Sequence, residues 1–414
     1  MAAEIQQQDA AGEIVIAGAG LAGLAVALGL HRKGVRCVVL ESSPVRRTSG
    51  FAFFTWTNAF RALDALGVGD KMRGRHLQLE GVRVVSSSTG KVAQEMDLQV
   101  KGKLGPHEVR CVHRNVLLQA LEEELPAGTI RYSSKIVSID QDEHSSAKIL
   151  HLADGATLRA KVLIGCDGIN SVVAKWLGLA KPSDSGRLAT RGLALYPDGG
   201  HGFEPKILQL VGEGFRAGVV PTSDTDVYWF FTWSPSPDGK DGAVDRSPAA
   251  MKQFVLTTMR GAKVSPQVLE AVERSEMSDV LAAPLRYRPP LSLLFASISK
   301  GNVCVAGDAL HPTTPDLAQG ACTALEDGVV LARCLGDAMA ADGAGEDKKR
   351  IEAALSRYAG IRRWRSAQVI AASYVVGFFQ ESDHPVVSFV RDKLLSGVLA
   401  RTLLMMPDHD CGKL

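Results

Sequence analysis

EIVIAGAGLAGLAVALGLHRKGVRCVVLE, residues 13–41, opens with the β-branched run Ile14-Val15-Ile16, which predicts a buried strand. Gly18, Gly20 and Gly23 follow in G-x-G-x-x-G spacing. Leu21, Leu24, Ala25 and Leu28 then fall on one face of a helix that ends at Gly34, and a second strand over 36–40 finishes on Glu41. Each part has a physical job. Gly18 permits the tight turn out of the strand, Gly20 lets a pyrophosphate approach the backbone with no Cβ between them, and Gly23 lets the helix pack close to the sheet. The turn through Ala19, Leu21 and Ala22 offers free N–H groups and the positive end of a helix dipole to phosphate. Glu41 stands where an acidic side chain accepts hydrogen bonds from an adenosine ribose. The stretch predicts dinucleotide binding and leaves FAD and NAD(P) both open.

Composition narrows the class. The chain has 414 residues, enough for more than one lobe, and a formal net charge of +2. That balance, with no stretch interleaving basic and aromatic residues, argues against a nucleic-acid partner. The seven cysteines (37, 111, 166, 304, 322, 334 and 411) are scattered, odd in number and never in C-x-x-C spacing. They predict buried free thiols, a reducing compartment and no metal site. The start, MAAEIQQQDAAGE, lacks the features of a secretory signal or transit peptide, so a cytoplasmic location is expected; a trimmed, organelle-imported protein would look the same. The apolar run 369–379 is interrupted by Ser373, Tyr374 and Gly377 and is too short to span a bilayer.

Along the chain, Arg46 and Arg47 follow the adenosine-binding acid, either as a solvated basic pair or in contact with the diphosphate. Helices are expected over 58–66, from Arg114 onward, near 249–260 and 266–275, from about 319 into the 330s, and over 348–376. Residues 161–165 and 302–306 read as buried strands, whereas 75–112 and 183–285 carry the alternation of antiparallel sheet. In VYWFFTW, alternate side chains share a face, so one set faces a ligand and the other the core. The spacing Gly212-x-Gly214 reads as a hairpin turn rather than a second dinucleotide fingerprint. A discontinuous nucleotide-binding domain (1–74, 110–182 and 286–376) is therefore expected around a substrate domain (75–109 and 183–285). A C-terminal helical tail (377–414) is expected to pack on the body.

Three further stretches carry chemistry. Arg114 opens a helix and is either a surface arginine or a cofactor contact. Asp167-Gly168 follows a buried strand, at the end where open α/β sheets bind ligands. In GDALHPTTPDLAQG, residues 307–320, Asp308 is placed to accept from polyol hydroxyls, and Pro315 to Gly320 lead into a helix whose N–H groups can hold negative charge on a reduced ring. His311 in this stretch is either a base or a structural histidine.

Taken together, the order G-x-G-x-x-G, helix-opening arginine, D-G, then G-D-A-x-H-P with P-x-x-x-Q-G resembles the class A, single-component flavoprotein monooxygenases. The chain looks most like the plant aromatic-hydroxylase and zeaxanthin epoxidase-like members, from Ile14 to about Tyr358. The resemblance implies an α/β fold: a Rossmann-like FAD-binding domain of the aromatic hydroxylase type, an inserted antiparallel β-sheet substrate domain and C-terminal helices. It implies that Gly18, Gly20, Gly23 and Glu41 hold the ADP half of FAD. Arg114 would reach the phosphate and ribityl region, Asp308 the ribityl chain, Pro315, Ala318, Gln319 and Gly320 the ring, and Asp167 FAD with or without NAD(P)H.

The implied reaction consumes NAD(P)H and O2 and hydroxylates a small organic substrate, aromatic or phenolic, through a flavin C4a-hydroperoxide. Arg191, Tyr228 and His311 are the candidate catalytic residues in this reading. Epoxidation or oxidation of a terpenoid or alkaloid, and an attenuated FAD-binding protein, are the alternatives. The chain departs from the family pattern at Ala318, commonly glycine, at Ala174, commonly arginine, and at the bulky Phe51, Phe53 and Phe54. Alanine at 318 is strained if that position needs positive φ.

Overall fold

The computed structural model describes residues 14–46, 52–198, 200–212, 214–235, 247–340, 347–381 and 404–414. Arg47 and Phe51 lie outside the described residues.

The short apolar runs of the sequence form the centre of a six-stranded sheet. Its order is Ser299–Lys300, Val303–Val305, Val162–Gly165, Ile14–Ala17, Cys37–Leu40, Ile130–Arg131. The first strand pairs in parallel with both Val162–Gly165 and Cys37–Leu40. Ile14–Ala17 and Val162–Gly165 are buried along their whole length, as expected of strands covered on both faces. Helix Leu21–Arg32 lies between this sheet and the long helix Gly320–Ala340. The two helices approach through their glycines: a Cβ on Gly328 would meet the Ala25 Cβ at 2.5 Å, and one on Gly29 the Ala332 Cβ at 2.6 Å.

A seven-stranded sheet forms the second layer. Its order is Leu281–Tyr287, Ser183–Leu195, Asp226–Trp233, Phe215–Pro221, Lys206–Gly212, Gly81–Ser86, Val92–Asp97. It is not purely antiparallel, because Lys206–Gly212 runs parallel to Gly81–Ser86. These strands come from separate segments of the chain, so no tight hairpin fixes their relative direction. Gly212 does turn a hairpin, pairing with Phe215. Helices Pro248–Gly261 and Pro266–Glu273 cover one face of the sheet. Trp229, Phe231 and Trp233 point into that core with Val255 and Val268, while Tyr228, Phe230 and Thr232 face the other way.

The C-terminal helix Asp347–Glu381 runs unbroken past the expected boundary at 376. The helical expectation for the tail is not met over 406–414, which is irregular; 382–403 lies outside the described residues. The tail's polar groups are used in contacts instead. Asp408 accepts from the Lys103 N–H at 2.5 Å, and the Cys411 carbonyl accepts from Arg333 at 2.7 Å. Among the described residues, no helix is long and apolar enough to cross a membrane.

Candidate active site

The glycine turn has the geometry its spacing predicts. Gly18 donates to the Leu40 carbonyl at 2.7 Å and sits at φ +98°, and a Cβ there would meet the Cys166 carbonyl oxygen at 2.5 Å. A Cβ on Gly23 would collide with the Gly18 carbonyl, so the helix can dock only with hydrogen at that position. Gly20 is different: nothing lies within 4 Å of a Cβ built there. Its bareness therefore serves something other than the protein's own packing. Glu41 closes the turn, accepting from the Ala19 N–H and the Ser43 N–H, each at 2.8 Å. The Ser42 hydroxyl donates to the same carboxylate at 3.1 Å.

The turn opens onto one cavity of about 820 Å³, near the upper end of the roughly 300–1,000 Å³ usual for ligand sites. Gly18, Ala19, Gly20, Leu21, Ala22, Glu41, Arg114, Asp167, Asp308, Pro315, Ala318 and Gly320 all line it, although they come from segments scattered over three hundred residues. Arg191 and Tyr228 line it from the second sheet. Gly23, Gln319 and His311 do not.

Asp308 lies deep in the protein, yet its side chain opens onto the cavity. It makes no hydrogen bond among the described residues. Surrounding protein pushes its carboxyl above the ordinary value, while His311, Arg114 and Arg191 pull it back. Asp167 is occupied differently: it accepts from the Ser171 hydroxyl at 2.5 Å and the Val172 N–H at 2.7 Å. It therefore caps its own turn as well as edging the cavity. Ala174 is buried in the short helix that follows, and only Lys175 is exposed there.

The stretch expected to cradle a ring turns on Ala318, at φ +52° and ψ +35°. Among the described residues only Ser133 shares positive φ without being glycine. The position does need the left-handed conformation, and alanine adopts it at a cost of about 1–2 kcal/mol.

Behind the cavity, buried charges hold this stretch in place. Glu326 and Asp327, on helix Gly320–Ala340, face Arg362 and Arg365 of the C-terminal helix. Arg362 bridges both acids, at 2.7 Å to Glu326 and 2.6 Å to Asp327. Asn58 donates to Glu326 at 2.6 Å and to Gln319 at 2.9 Å. Asp327 accepts from the Gly307 N–H at 2.7 Å and holds His311 Nε2 at 2.6 Å. Burial alone would push both carboxyls up, but the charge of Arg362, with Arg365 beside Glu326 and His311 beside Asp327, holds both below the ordinary range. His311 is buried against Asp327 and does not line the cavity. Gln319 accepts from Asn58 and does not line the cavity either.

The second sheet supplies the opposite wall. Tyr228 and Phe230 face the cavity with ring centroids 6.3 Å apart, and burial pushes the Tyr228 phenol up to about 12. The sequence reading missed Asp316. This buried carboxylate takes two bonds from Arg187, at 3.0 and 2.7 Å, and one from Arg216 at 3.1 Å. The ion cluster ties the turn before Ala318 to the second sheet. Its only sequence signal is an acid inside an otherwise apolar, proline-led turn.

Two outcomes follow. Ala318→Gly relieves the left-handed strain but loosens the unfolded chain, so it should raise stability by about 0.5–1 kcal/mol, read as a higher urea midpoint at unchanged slope. Glu326→Gln leaves Arg362 and Arg365 short of a buried counter-charge and should cost about 3–5 kcal/mol. Because the folded-state carboxyl is depressed, the wild-type advantage should be complete above about pH 4.5 and shrink as pH falls further. Urea titrations of both proteins between neutral and acidic pH check this.

Comparison with known proteins fits this geometry. The family described as "FAD binding domain" matches residues 12–373. The chain is 44% identical to Arabidopsis thaliana Monooxygenase 2 over 416 residues, covering 99% of each chain. It is 36% identical to Arabidopsis thaliana Monooxygenase 1 over 405 residues, covering 97% of this chain and 99% of that one. Its fold matches the crystal structure of Klebsiella pneumoniae HpxO complexed with FAD and uric acid, with a TM-score of 0.80 at 20% identity, over 97% of this chain and 98% of that one. The glycine turn, the cavity it opens and these likenesses together make the chain a member of the class A FAD-dependent monooxygenases, an oxidoreductase with FAD as its cofactor.

Proposed function

We propose that the protein uses NAD(P)H and O2 to insert one oxygen atom into a small aromatic, phenol-like substrate. The reading assigns the seven-stranded sheet and its helices, 75–109 and 183–285, to the substrate and the rest of 1–376 to FAD. The observation that carries it is a single cavity in which the glycine turn and Asp308 face a wall bearing Arg191, Tyr228 and Phe230.

The residues present fit FAD. Gly20 leaves open space where a phosphate must approach, Glu41 lines the cavity where a ribose would lie, and Asp308 offers a carboxylate with no hydrogen bond among the described residues. Arg114 would meet the phosphate and ribityl region, and Pro315 to Gly320 would hold the ring. When bound, FAD accepts a hydride from NAD(P)H and activates O2.

The chain's own residues then position and shield. Arg191 lines the cavity with no hydrogen bond among the described residues, which suits it to an anionic group on the substrate. Phe230 offers a ring face, and Phe53, Phe54, Val82 and Ile207 line the cavity with apolar surface that excludes water. Tyr228 keeps its proton at neutral pH, so it acts as a hydrogen-bond donor and not as a base. A phenol donating to or accepting from this wall would be oriented for attack on its ring.

Incorporation of labelled O2 tests the reading. Purified protein with FAD, NADPH or NADH, and a panel of phenols, phenolic acids and alkenes should give one labelled aromatic product. A labelled epoxide, or FAD-bound protein that consumes no NAD(P)H with any compound, would overturn it. Arg191→Met should raise KM for the anionic substrate roughly 10–100-fold, the loss of one charged hydrogen bond, while FAD content stays unchanged.

A further inference from the structure

The C-terminal helix is turned inside out. Between Tyr358 and Phe378 its arginines point into the protein: Arg362 and Arg365 to Glu326 and Asp327, and Arg363 to the carbonyls of Leu293, Leu294 and Ala296. Its exposed side carries Ile361, Trp364, Tyr374, Val375 and Phe378. Gln368 and Gly360 are the other exposed residues of this stretch, and none is charged. The nearest exposed cation on the helix, Arg357, precedes the stripe. The short helix Pro290–Phe295, which Arg363 fastens to the C-terminal helix, extends the patch with Leu291 at 72% exposure and Phe295 at 90%.

Taking about 200 Å² for a large side chain, the patch exposes roughly 800 Å² of apolar surface. That exceeds the roughly 300–600 Å² of the largest patch on a typical monomer and matches the ~800 Å² each partner buries in a stable complex.

We propose that this face, formed by Ile361 to Phe378 with Leu291 and Phe295, is the interface with a second copy of the chain in a two-fold dimer. Its composition is that of an interface core: aromatic, rich in large side chains and without charge. A face made to lie on a membrane surrounds its apolar side chains with lysine and arginine, whereas here the arginines are spent inside. Gln368, near the middle of the stripe, adds a second argument. Around a two-fold axis each residue near the centre meets its own copy, and an amide is both donor and acceptor, so Gln368 can satisfy itself across the axis. In lipid its amide would go unpaired.

Pairing would also brace the site. The backbone of Gly377 lies directly on the Asp316–Arg187 ion pair, where a Cβ would collide with both side chains. A partner packed against Val375 and Phe378 would therefore press the helix onto the turn that lines the cavity.

Sedimentation velocity of the FAD-loaded full chain, from nanomolar to tens of micromolar concentration, tests this. The wild type should be a dimer at micromolar concentration. Trp364→Glu and Phe295→Glu should each weaken dimerisation roughly 30-fold or more while retaining bound FAD and its visible spectrum. Val92→Glu, at an exposed apolar position on the far sheet edge, should leave the dimer intact. A wild type that stays monomeric throughout, a dimer indifferent to both helix variants, or a monomer that co-floats with phosphatidylcholine–phosphatidylserine vesicles would each overturn the proposal.

Discussion

Four buried charges, Glu326 and Asp327 against Arg362 and Arg365, hold the site together. Taking such groups out of water is costly, and a buried pair is weak evidence for stability in itself. Its worth here is geometric. Through Asn58 and Gln319 the Glu326 carboxylate fixes the entry to helix Gly320–Ala340, and through the Gly307 N–H and His311 the Asp327 carboxylate fixes the turn that carries Asp308. Neither acid lines the cavity, yet each holds the backbone of a segment that does. Each of the four charges faces an opposite one, so the loss of any one member strands the others.

A second ion cluster does the same across the two layers. Asp316 is buried between Arg187 and Arg216 of the seven-stranded sheet, so the turn leading into Ala318 is registered against the wall that carries Tyr228 and Phe230. The cavity is therefore a joint between two sheets, bolted at one end by the Glu326 network and at the other by Asp316. A hydrophobic contact would allow the layers to slide; paired charges with fixed hydrogen-bond directions do not.

The sequence made the cofactor half largely legible, because that half is local. A β-branched strand, three glycines at fixed spacing and an apolar helical face lie within thirty residues, and the backbone constraints on Gly18 and Gly23 follow from the spacing alone. The alternation in VYWFFTW likewise divided one strand into a core face and a cavity face, because side chains in a strand alternate by geometry. What escaped is non-local. Asp316 meets Arg187 from 129 positions along the chain, and no pattern in either segment announces it. His311 follows Asp308 closely enough to invite a catalytic reading, but it is turned inward to an acid on another helix. The parallel pairing of 206–212 with 81–86 and the irregular tail depend on contacts between distant segments in the same way.

The space in front of the glycine turn belongs to FAD. Gly20 isolates that claim, because its Cβ would touch no protein atom and its backbone is extended, a conformation open to any residue. FAD titration of Gly20→Val, set beside its urea unfolding as apoprotein, is the most direct measurement. Unfolding should be indistinguishable from that of the wild-type apoprotein, while FAD binding falls by roughly 100-fold or more, about 3 kcal/mol. Wild-type affinity for FAD in the valine variant would contradict it.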